Sequence, residues 1–185
     1  MAKVAVLMAT GYEEGETLTI VDLCRRAGIE CHTFAFGDLM VTGMHNMVIK
    51  ADKQFSDEVK DYDMIMLPGG RPGGANLAAN DDVIAMLKWF NDNNKYIAAM
   101  CSGTTVLEKA QVITGKHVTG YTGYAEKLPS GIFEETVAVA DQNVVTSQGP
   151  ATPYPMAFKM IEVLGGDTTV LRERTLYNFA GGRKA

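Results

Sequence analysis

The chain has 185 residues, of which 46% are hydrophobic and 21% charged, and its formal net charge is −5. This composition suffices for a sizeable core, and the acidic balance argues against nucleic acid or an anionic membrane surface as a partner. No apolar run approaches the length of a membrane span, and the first residues lack the pattern of a signal peptide. The three cysteines include no Cys-x-x-Cys pair, which argues against a disulfide framework and a zinc ribbon. We therefore expect a cytoplasmic protein with no membrane or nucleic-acid partner.

Short apolar runs alternate with amphipathic segments along most of the chain. The pattern predicts strands at residues 3–8, 29–36, 62–67 and 96–100, and helices over 14–27, from 81 onward, over 102–111 and over 154–164. It also predicts a hairpin at 40–50, strands at 118–121 and 136–147 (the latter broken at 141–143), and a polar stretch from 167 to the end. This alternation is typical of an α/β fold with a doubly wound, mostly parallel sheet sandwiched by helices. Because no linker or repeat interrupts it, we expect a single domain over residues 1–185.

A cysteine follows directly after one of the predicted strands. It therefore lies at the edge of the sheet formed by the C-terminal ends of the strands, where such sheets bind ligands. Cys101 follows the fourth strand and begins a helix, so its sulfur would face a helix N-terminus that favours the thiolate. Ser102 and the glycine after it are small enough for a tight strand-to-helix turn. The alternative is that Cys101 is a buried packing residue, which is our interpretation of Cys24 and Cys31 because both lie in apolar patterns.

Two other loops at this edge carry acidic or glycine-rich sequence. Glu13 and Glu14 begin a helix, where acids ordinarily act as caps. Glu16 would be a partly buried, protonated carboxyl that donates a hydrogen bond to a thiolate or exchanges protons with a substrate. The third strand ends in Pro-Gly-Gly-Arg-Pro-Gly-Gly at 68–74. Its backbone N–H groups would converge on an anion, unless the segment is a plain turn. It matches neither a Walker A loop nor a dinucleotide-binding loop, and we predict no cofactor and no metal.

Taken together, these loops make the chain resemble the ThiJ/PfpI superfamily, in the branch of the Parkinsonism-associated protein and its bacterial deglycase relatives. The resemblance runs from about residue 3 to about residue 165, and its carriers are Glu-Glu-Gly-Glu at 13–16, Leu-Pro-Gly-Gly at 67–70, Ile-Ala-Ala-Met-Cys-Ser-Gly at 97–103 and Thr-Ser-Gln-Gly-Pro at 146–150. It implies a flavodoxin-like sandwich, a homodimer and a reactive Cys101 beside a protonated Glu16. It also implies an anion-binding pocket formed by the backbone amides of Gly70 and Ser102.

The sequence departs from this family's pattern where a histidine usually follows the strand after the elbow helix. Tyr121 stands there, and His117 precedes the predicted strand, at its far end. A second departure is Gln148, where relatives often carry an arginine. Without a histidine base, a triad-type hydrolase is disfavoured. His45 lies in the predicted hairpin, where relatives carry a basic residue that faces the partner subunit's pocket. Tyr121 and His45 are therefore candidate auxiliary residues, with a solvated surface histidine as the alternative for His45.

The resemblance implies a cofactor-free glyoxalase or deglycase that acts on reactive dicarbonyls such as methylglyoxal. Cys101 would add to the aldehyde, Glu16 would move protons, and the amides of Gly70 and Ser102 would hold the oxyanion. The alternative is a non-enzymatic redox sensor or stress-protective, chaperone-like protein, in which Cys101 is oxidised to a sulfinate stabilised by Glu16. A flavodoxin-like cofactor carrier is the weakest hypothesis, because the acidic first loop does not suit a phosphate group.

Overall fold

The computed structural model describes residues 1–181. Its strands, in chain order, are β1 (Lys3–Met8), β2 (Glu30–Ala35), β3 (Met40–Thr42), β4 (Val48–Lys50), β5 (Lys53–Gln54), β6 (Met64–Leu67), β7 (Tyr96–Met100), β8 (His117–Val118), β9 (Ile132–Phe133), β10 (Ala138–Asp141) and β11 (Val144–Ser147). Its α-helices are α1 (Glu14–Arg26), α2 (Gly73–Ala79), α3 (Asp81–Asp92), α4 (Thr104–Ala110), α5 (Pro153–Val163), α6 (Thr169–Arg174) and α7 (Tyr177–Gly181). None of the helices described is long and apolar enough to cross a membrane.

Seven strands form one sheet in the order β10-β11-β7-β6-β1-β2-β5. All neighbouring pairs are parallel except β10 and β11, which form an antiparallel hairpin at one edge. The chain passes from β1 outward to β2 and then returns to the other side of β1 as β6. Loops at the carboxyl ends of β1 and β6 therefore diverge, which opens a crevice at that edge. The predicted doubly wound, mostly parallel α/β sandwich is confirmed.

The two faces of the sheet are covered by different helices, and the side chains of each strand alternate between them. On β1, Val4 and Val6 pack with Ile20 of α1 and Phe158 of α5. Ala5 and its odd-numbered neighbours face the opposite way, into a cluster that includes residues of α3 and α4. Because both faces are covered, β1 after Lys3, β6 and β7 after Tyr96 are apolar at every position, which is why they were readable as continuous apolar runs.

Two details of the prediction are wrong. The strand expected at 118–121 is only His117–Val118, which pairs with β9 outside the main sheet. The stretch from 167, expected to be polar, contains α6 and α7, where Leu171 is buried and Tyr177 stacks on Tyr154 of α5 with 5.7 Å between ring centroids. These helices are short and gain their stability from contacts with α5, which local periodicity does not reveal. Residues 182–185, included in the expected domain and polar stretch, lie outside the described residues.

Replacement of Phe158 by alanine is expected to destabilise the protein strongly. The ring is fully buried, meets Tyr177 edge-on at 4.9 Å and lies 4.1 Å below the guanidinium of Arg172. Phe158→Ala should lower the free energy of unfolding by about 3–5 kcal/mol in urea denaturation. The control Ile132→Ala, at an exposed position, should stay within about 0.5 kcal/mol of the parent. Equal losses in the two variants would contradict this account of how the C-terminal helices dock.

Candidate functional site

Cys101 lies in a strained turn at the carboxyl end of β7. Its φ is +52°, in the left-handed region that non-glycine residues rarely adopt. Residues Cys101–Gly103 form a 3₁₀ turn, and α4 begins only at Thr104, whose Oγ1 donates to the carbonyl of Cys101 at 2.7 Å. A Cβ on Gly103 would come within 2.5 Å of the Leu67 carbonyl oxygen, so glycine is required for the turn to approach β6. The turn therefore holds the thiol at the sheet edge.

Glu16, in the first turn of α1, lies against this thiol. Its side chain is fully buried, and its Oε2 accepts a hydrogen bond from the backbone N–H of Gly69 at 2.8 Å. Its Oε1 has no hydrogen-bond partner among the described residues. A Cβ on Gly69 would lie 2.6 Å from Cys101 Cβ and 2.8 Å from Glu16 Oε2. Only glycine fits between the two side chains. The loop after β6 thus serves as the spacer that brings the carboxyl and the thiol together.

Burial controls the proton affinity of Glu16. Loss of solvation raises the pKa of this carboxyl from 4.5 to about 7, and the charge of Glu13 adds to the rise. The hydrogen bond from the Gly69 N–H and the neighbouring Cys101 thiol act in the opposite direction, but their effect on the pKa is weaker. A carboxyl with this pKa both donates and accepts a proton near neutral pH, which is what acid–base catalysis requires.

The same environment raises the pKa of the Cys101 thiol to about 12. Burial is the main cause, and the negative charge of Glu16 is the second; the backbone N–H groups of Ser102 and Gly70 point at the sulfur and lower the pKa. This direction is opposite to the one expected from a helix N-terminus. The helix begins at Thr104, three residues after the cysteine, so its dipole is less well aligned than a helix starting at the thiol would be. Protonation of Glu16 removes the repulsion and so lowers the pKa of the thiol, although burial still raises it.

The thiol opens into a cavity of about 240 Å³ at the carboxyl edge of the sheet. Its walls come from five loops and the β3–β4 hairpin: Glu13, Met44, Gly70, Arg71, Cys101, Ser102, Tyr121, Tyr124 and Pro150. Sequence reasoning placed Gly70, Cys101, Ser102 and Tyr121 in one pocket but missed Met44, Arg71, Tyr124 and Pro150. The loops at strand ends were a usable signal for Arg71 and Pro150, whereas Met44 reaches the cavity from a hairpin that is not part of the main sheet.

Tyr121 was expected at the end of a strand over 118–121, but it lies in the turn after β8. Its ring is 42% exposed, packs over Gly149 and meets Tyr124 edge-on with 5.6 Å between centroids. The two rings form an aromatic wall of the cavity. Tyr121 is therefore beside the thiol's cavity, where a phenol can contact a bound molecule, although it occupies the position of the histidine expected from the resemblance.

The histidines lie away from this wall. The His45 side chain is 58% exposed, and its Nδ1 lies 2.9 Å from Oε2 of Glu14, a buried carboxylate of α1. His117 pairs with Glu134 and lines a separate groove. His32 lies on β2. Among residues 1–181, no histidine lines the Cys101 cavity.

Comparison with known proteins gives one consistent result. The model of the DJ-1/PfpI family matches residues 2–163. The chain is 35% identical to the Parkinson disease protein 7 homolog of Danio rerio, with 87% of this chain and 88% of the relative covered. It is 31% identical to a putative cysteine protease of Bacillus subtilis, over 80% of this chain and 89% of that one. A DJ-1 superfamily protein of Salmonella typhimurium, solved with a cysteine replaced by alanine, superposes with a TM-score of 0.89 at 30% identity, covering 97% and 98% of the two chains.

Ionisation of Glu16 should make folding stability depend on pH. The folded-state pKa is raised to about 7, so the stabilising contribution is complete below the unfolded pKa of about 4.5 and is lost as pH rises through 7. The parent protein should lose about 3 kcal/mol between pH 4.5 and 8 relative to Glu16→Gln, measured by urea denaturation. The exposed Glu126→Gln should follow the parent curve. Parallel curves for the parent and Glu16→Gln would rule out the raised pKa.

Proposed function

Because the chain belongs to the DJ-1/PfpI family, we propose that it is a cysteine-dependent, cofactor-free enzyme of the glyoxalase or deglycase type. Its substrates are small reactive dicarbonyls such as methylglyoxal, and we place its activity in the cytoplasm, where thiols remain reduced. One observation carries the proposal: the Cys101 thiol lines a cavity of about 240 Å³ and lies against the buried carboxyl of Glu16, whose pKa is raised to about 7.

The first step is addition of Cys101 to the aldehyde. The sulfur forms a bond to the aldehyde carbon, and the carbonyl π electrons move to the oxygen. The thiol proton passes through Glu16 to that oxygen, which gives a hemithioacetal. The N–H groups of Gly70 and Ser102, which point at the sulfur in the free protein, are placed to hold the developing oxyanion beside it.

The second step is an internal rearrangement that Glu16 performs as base and then as acid. It removes the hydrogen of the hemithioacetal carbon as a proton, and the electron pair left behind forms an enediol. Return of the proton to the neighbouring carbon gives a lactoyl thioester of Cys101. Water then hydrolyses the thioester, so methylglyoxal and one water become lactate, and the free thiol is restored. The Tyr121 hydroxyl is an auxiliary proton donor to the second oxygen in this scheme.

A second candidate function is a redox sensor, favoured by the lack of a histidine among the residues that line the cavity. Two molecules of hydrogen peroxide would oxidise the Cys101 thiol to a sulfinic acid and leave two molecules of water. A protonated Glu16 would then donate a hydrogen bond to the sulfinate. A related chain, a Toxoplasma gondii DJ-1 solved in an oxidised form, is 32% identical with a TM-score of 0.83 over 89% of this chain and 91% of that one.

We also propose that the protein is a homodimer, through the surface formed by α1 and the β3–β4 hairpin. Large apolar side chains are exposed on both elements: Leu18, Met40, Met47 and Val48. The elements are tied together because the Glu14 carboxylate accepts hydrogen bonds from the backbone N–H and the imidazole of His45. Exposed apolar groups on adjoining elements are typical of a surface that is covered in an assembly.

Removal of the thiol should abolish turnover without unfolding the protein. Cys101→Ala is expected to show no lactate formation from methylglyoxal while its urea midpoint stays close to that of the parent. Cys31→Ala, which removes a buried thiol distant in sequence from the site, should retain activity. Activity in Cys101→Ala would exclude this residue as the nucleophile.

The lactate assay, combined with mass spectrometry of the oxidised protein, separates the two candidate functions. Intact-protein mass spectrometry after peroxide treatment would show addition of two oxygen atoms to the parent and none to Cys101→Ala if the cysteine is the sensor. Oxidation without any lactate formation by the reduced protein would replace the enzyme with the sensor. Lactate formation that depends on Cys101 supports the enzyme.

Disruption of the α1 and hairpin surface should produce a monomer. Met47→Glu places a charge in the centre of the proposed interface and should halve the mass measured by light scattering during size-exclusion chromatography. Val170→Glu, at a similarly exposed apolar position on α6, is the control and should remain dimeric. A parent protein that elutes as a monomer would overturn the dimer.

A further inference from the structure

Arg71 brings a positive charge to the wall of the Cys101 cavity. The residue is exposed and belongs to the loop that joins β6 to α2. Its guanidinium has no hydrogen-bond or ion-pair partner among residues 1–181. The reaction proposed for methylglyoxal, which is an uncharged molecule, makes no use of this charge.

The unpaired state of Arg71 sets it apart from most of the arginines that the structure describes. Three others each have a guanidinium nitrogen within 3.0 Å of a carboxylate oxygen: Arg25 at Asp52, Arg26 at Asp22 and Arg172 at Glu162. Arg174 also has no such partner in the described part of the chain, but it lies on α6 and does not line the Cys101 cavity. In a chain with a net charge of −5, an unpaired guanidinium beside the reactive thiol points to an anionic ligand.

The backbone that carries Arg71 is fixed relative to the cysteine turn. Gly70 has a φ of +112°, and a Cβ there would collide with the carbonyl oxygen of Gly11. The Gly70 carbonyl accepts hydrogen bonds from the Ser102 hydroxyl and from the backbone N–H of Gly74, both at 3.0 Å. The loop is therefore held on three sides, while the Arg71 side chain stays exposed and available to a ligand.

Glu13 is the other charged residue that lines this cavity. Its carboxylate caps α1 by accepting the backbone N–H of Glu16, and it forms no ion pair with Arg71. A ligand that places one negative charge at Arg71 gains an attraction there. A phosphate group, with a charge of about −1.5 to −2 at neutral pH, would meet stronger repulsion from Glu13 than a carboxylate does. The cavity therefore favours a carboxylate.

We propose that Arg71 selects 2-oxoaldehydes that carry a carboxylate, and that it binds this carboxylate while Cys101 adds to the aldehyde. The inference rests on the proposed function, because it keeps the same thiol chemistry and names the substrate class. The N–H groups of a guanidinium match the two oxygens of a carboxylate. An example is 4,5-dioxopentanoate, which is methylglyoxal with a CH2COO⁻ group in place of one methyl hydrogen. The same rearrangement, followed by hydrolysis with one water, gives 2-hydroxyglutarate.

Alkylation of Cys101 tests the anion site without any turnover. Iodoacetate and iodoacetamide both transfer a CH2 group to the thiolate with loss of iodide, but only iodoacetate is charged. Both reagents use the same thiolate, so the ratio of their rate constants does not depend on the pKa of the thiol. Peptide mass spectrometry separates Cys101 from the two buried cysteines.

The ratio of iodoacetate to iodoacetamide rate constants should fall about two- to fivefold in Arg71→Gln, as for an exposed charge pair. Arg71→Lys keeps the charge and should retain most of the ratio. Arg174→Gln removes another unpaired surface arginine and is the matched control, with the ratio of the parent. Added salt should lower the ratio in the parent more than in Arg71→Gln.

The substrate class is tested with 4,5-dioxopentanoate and its neutral amide. The parent should have the higher kcat/KM for the carboxylate, and Arg71→Gln should reduce this preference about two- to fivefold, mainly through KM. The proposal is overturned if Arg71→Gln keeps the alkylation ratio of the parent, if Arg174→Gln lowers it equally, or if an active parent shows no preference for the carboxylate. An alkylation ratio that depends on Arg71, without turnover of either compound, would support the anion site and overturn the proposed function.

Discussion

The Glu16 carboxyl contacts the Cys101 thiol on one side and the Gly69 N–H on the other. This contact holds together the loops at the C-terminal ends of the strands. It joins the start of α1, the loop after β6 and the turn after β7, three segments that are far apart in the chain. A fully buried carboxyl is tolerated only where its oxygens are paired or protonated. Correct docking of all three segments is therefore a condition for the chemistry and for the local stability of this edge.

Much of the fold was predictable because its signals are local. Continuous apolar strands, the amphipathic α1 and the glycine after it were readable from periodicity and composition. The segment 118–121 was misjudged because two apolar or β-branched residues beside a glycine have the pattern of a strand. In the structure the backbone turns before Tyr121, and the Tyr121 ring packs on Gly149. The C-terminal helices were missed because their order depends on stacking of Tyr177 against a residue of α5.

The site shows the same division between local and long-range causes. The positions of Cys101 and Glu16 at strand and helix ends followed from the sequence, but the direction of the thiol's pKa did not. A local argument considers the helix dipole; the structure adds burial and the neighbouring carboxylate, which outweigh it. Likewise, the meeting of Glu14 with His45 depends on how a hairpin folds back onto α1, and no local pattern contains that information.

Gly69 has a consequence for how such a protein can evolve. Any larger residue there collides with both Cys101 and Glu16, so a substitution at this position is excluded as long as the two side chains keep their places. Arg71 and Tyr121 in the cavity wall are under no such restriction, since both are exposed and project from loops. Mutational drift can therefore alter which molecules enter while the reacting groups stay the same, which allows lineages that share one reactive centre to diverge in what they act upon.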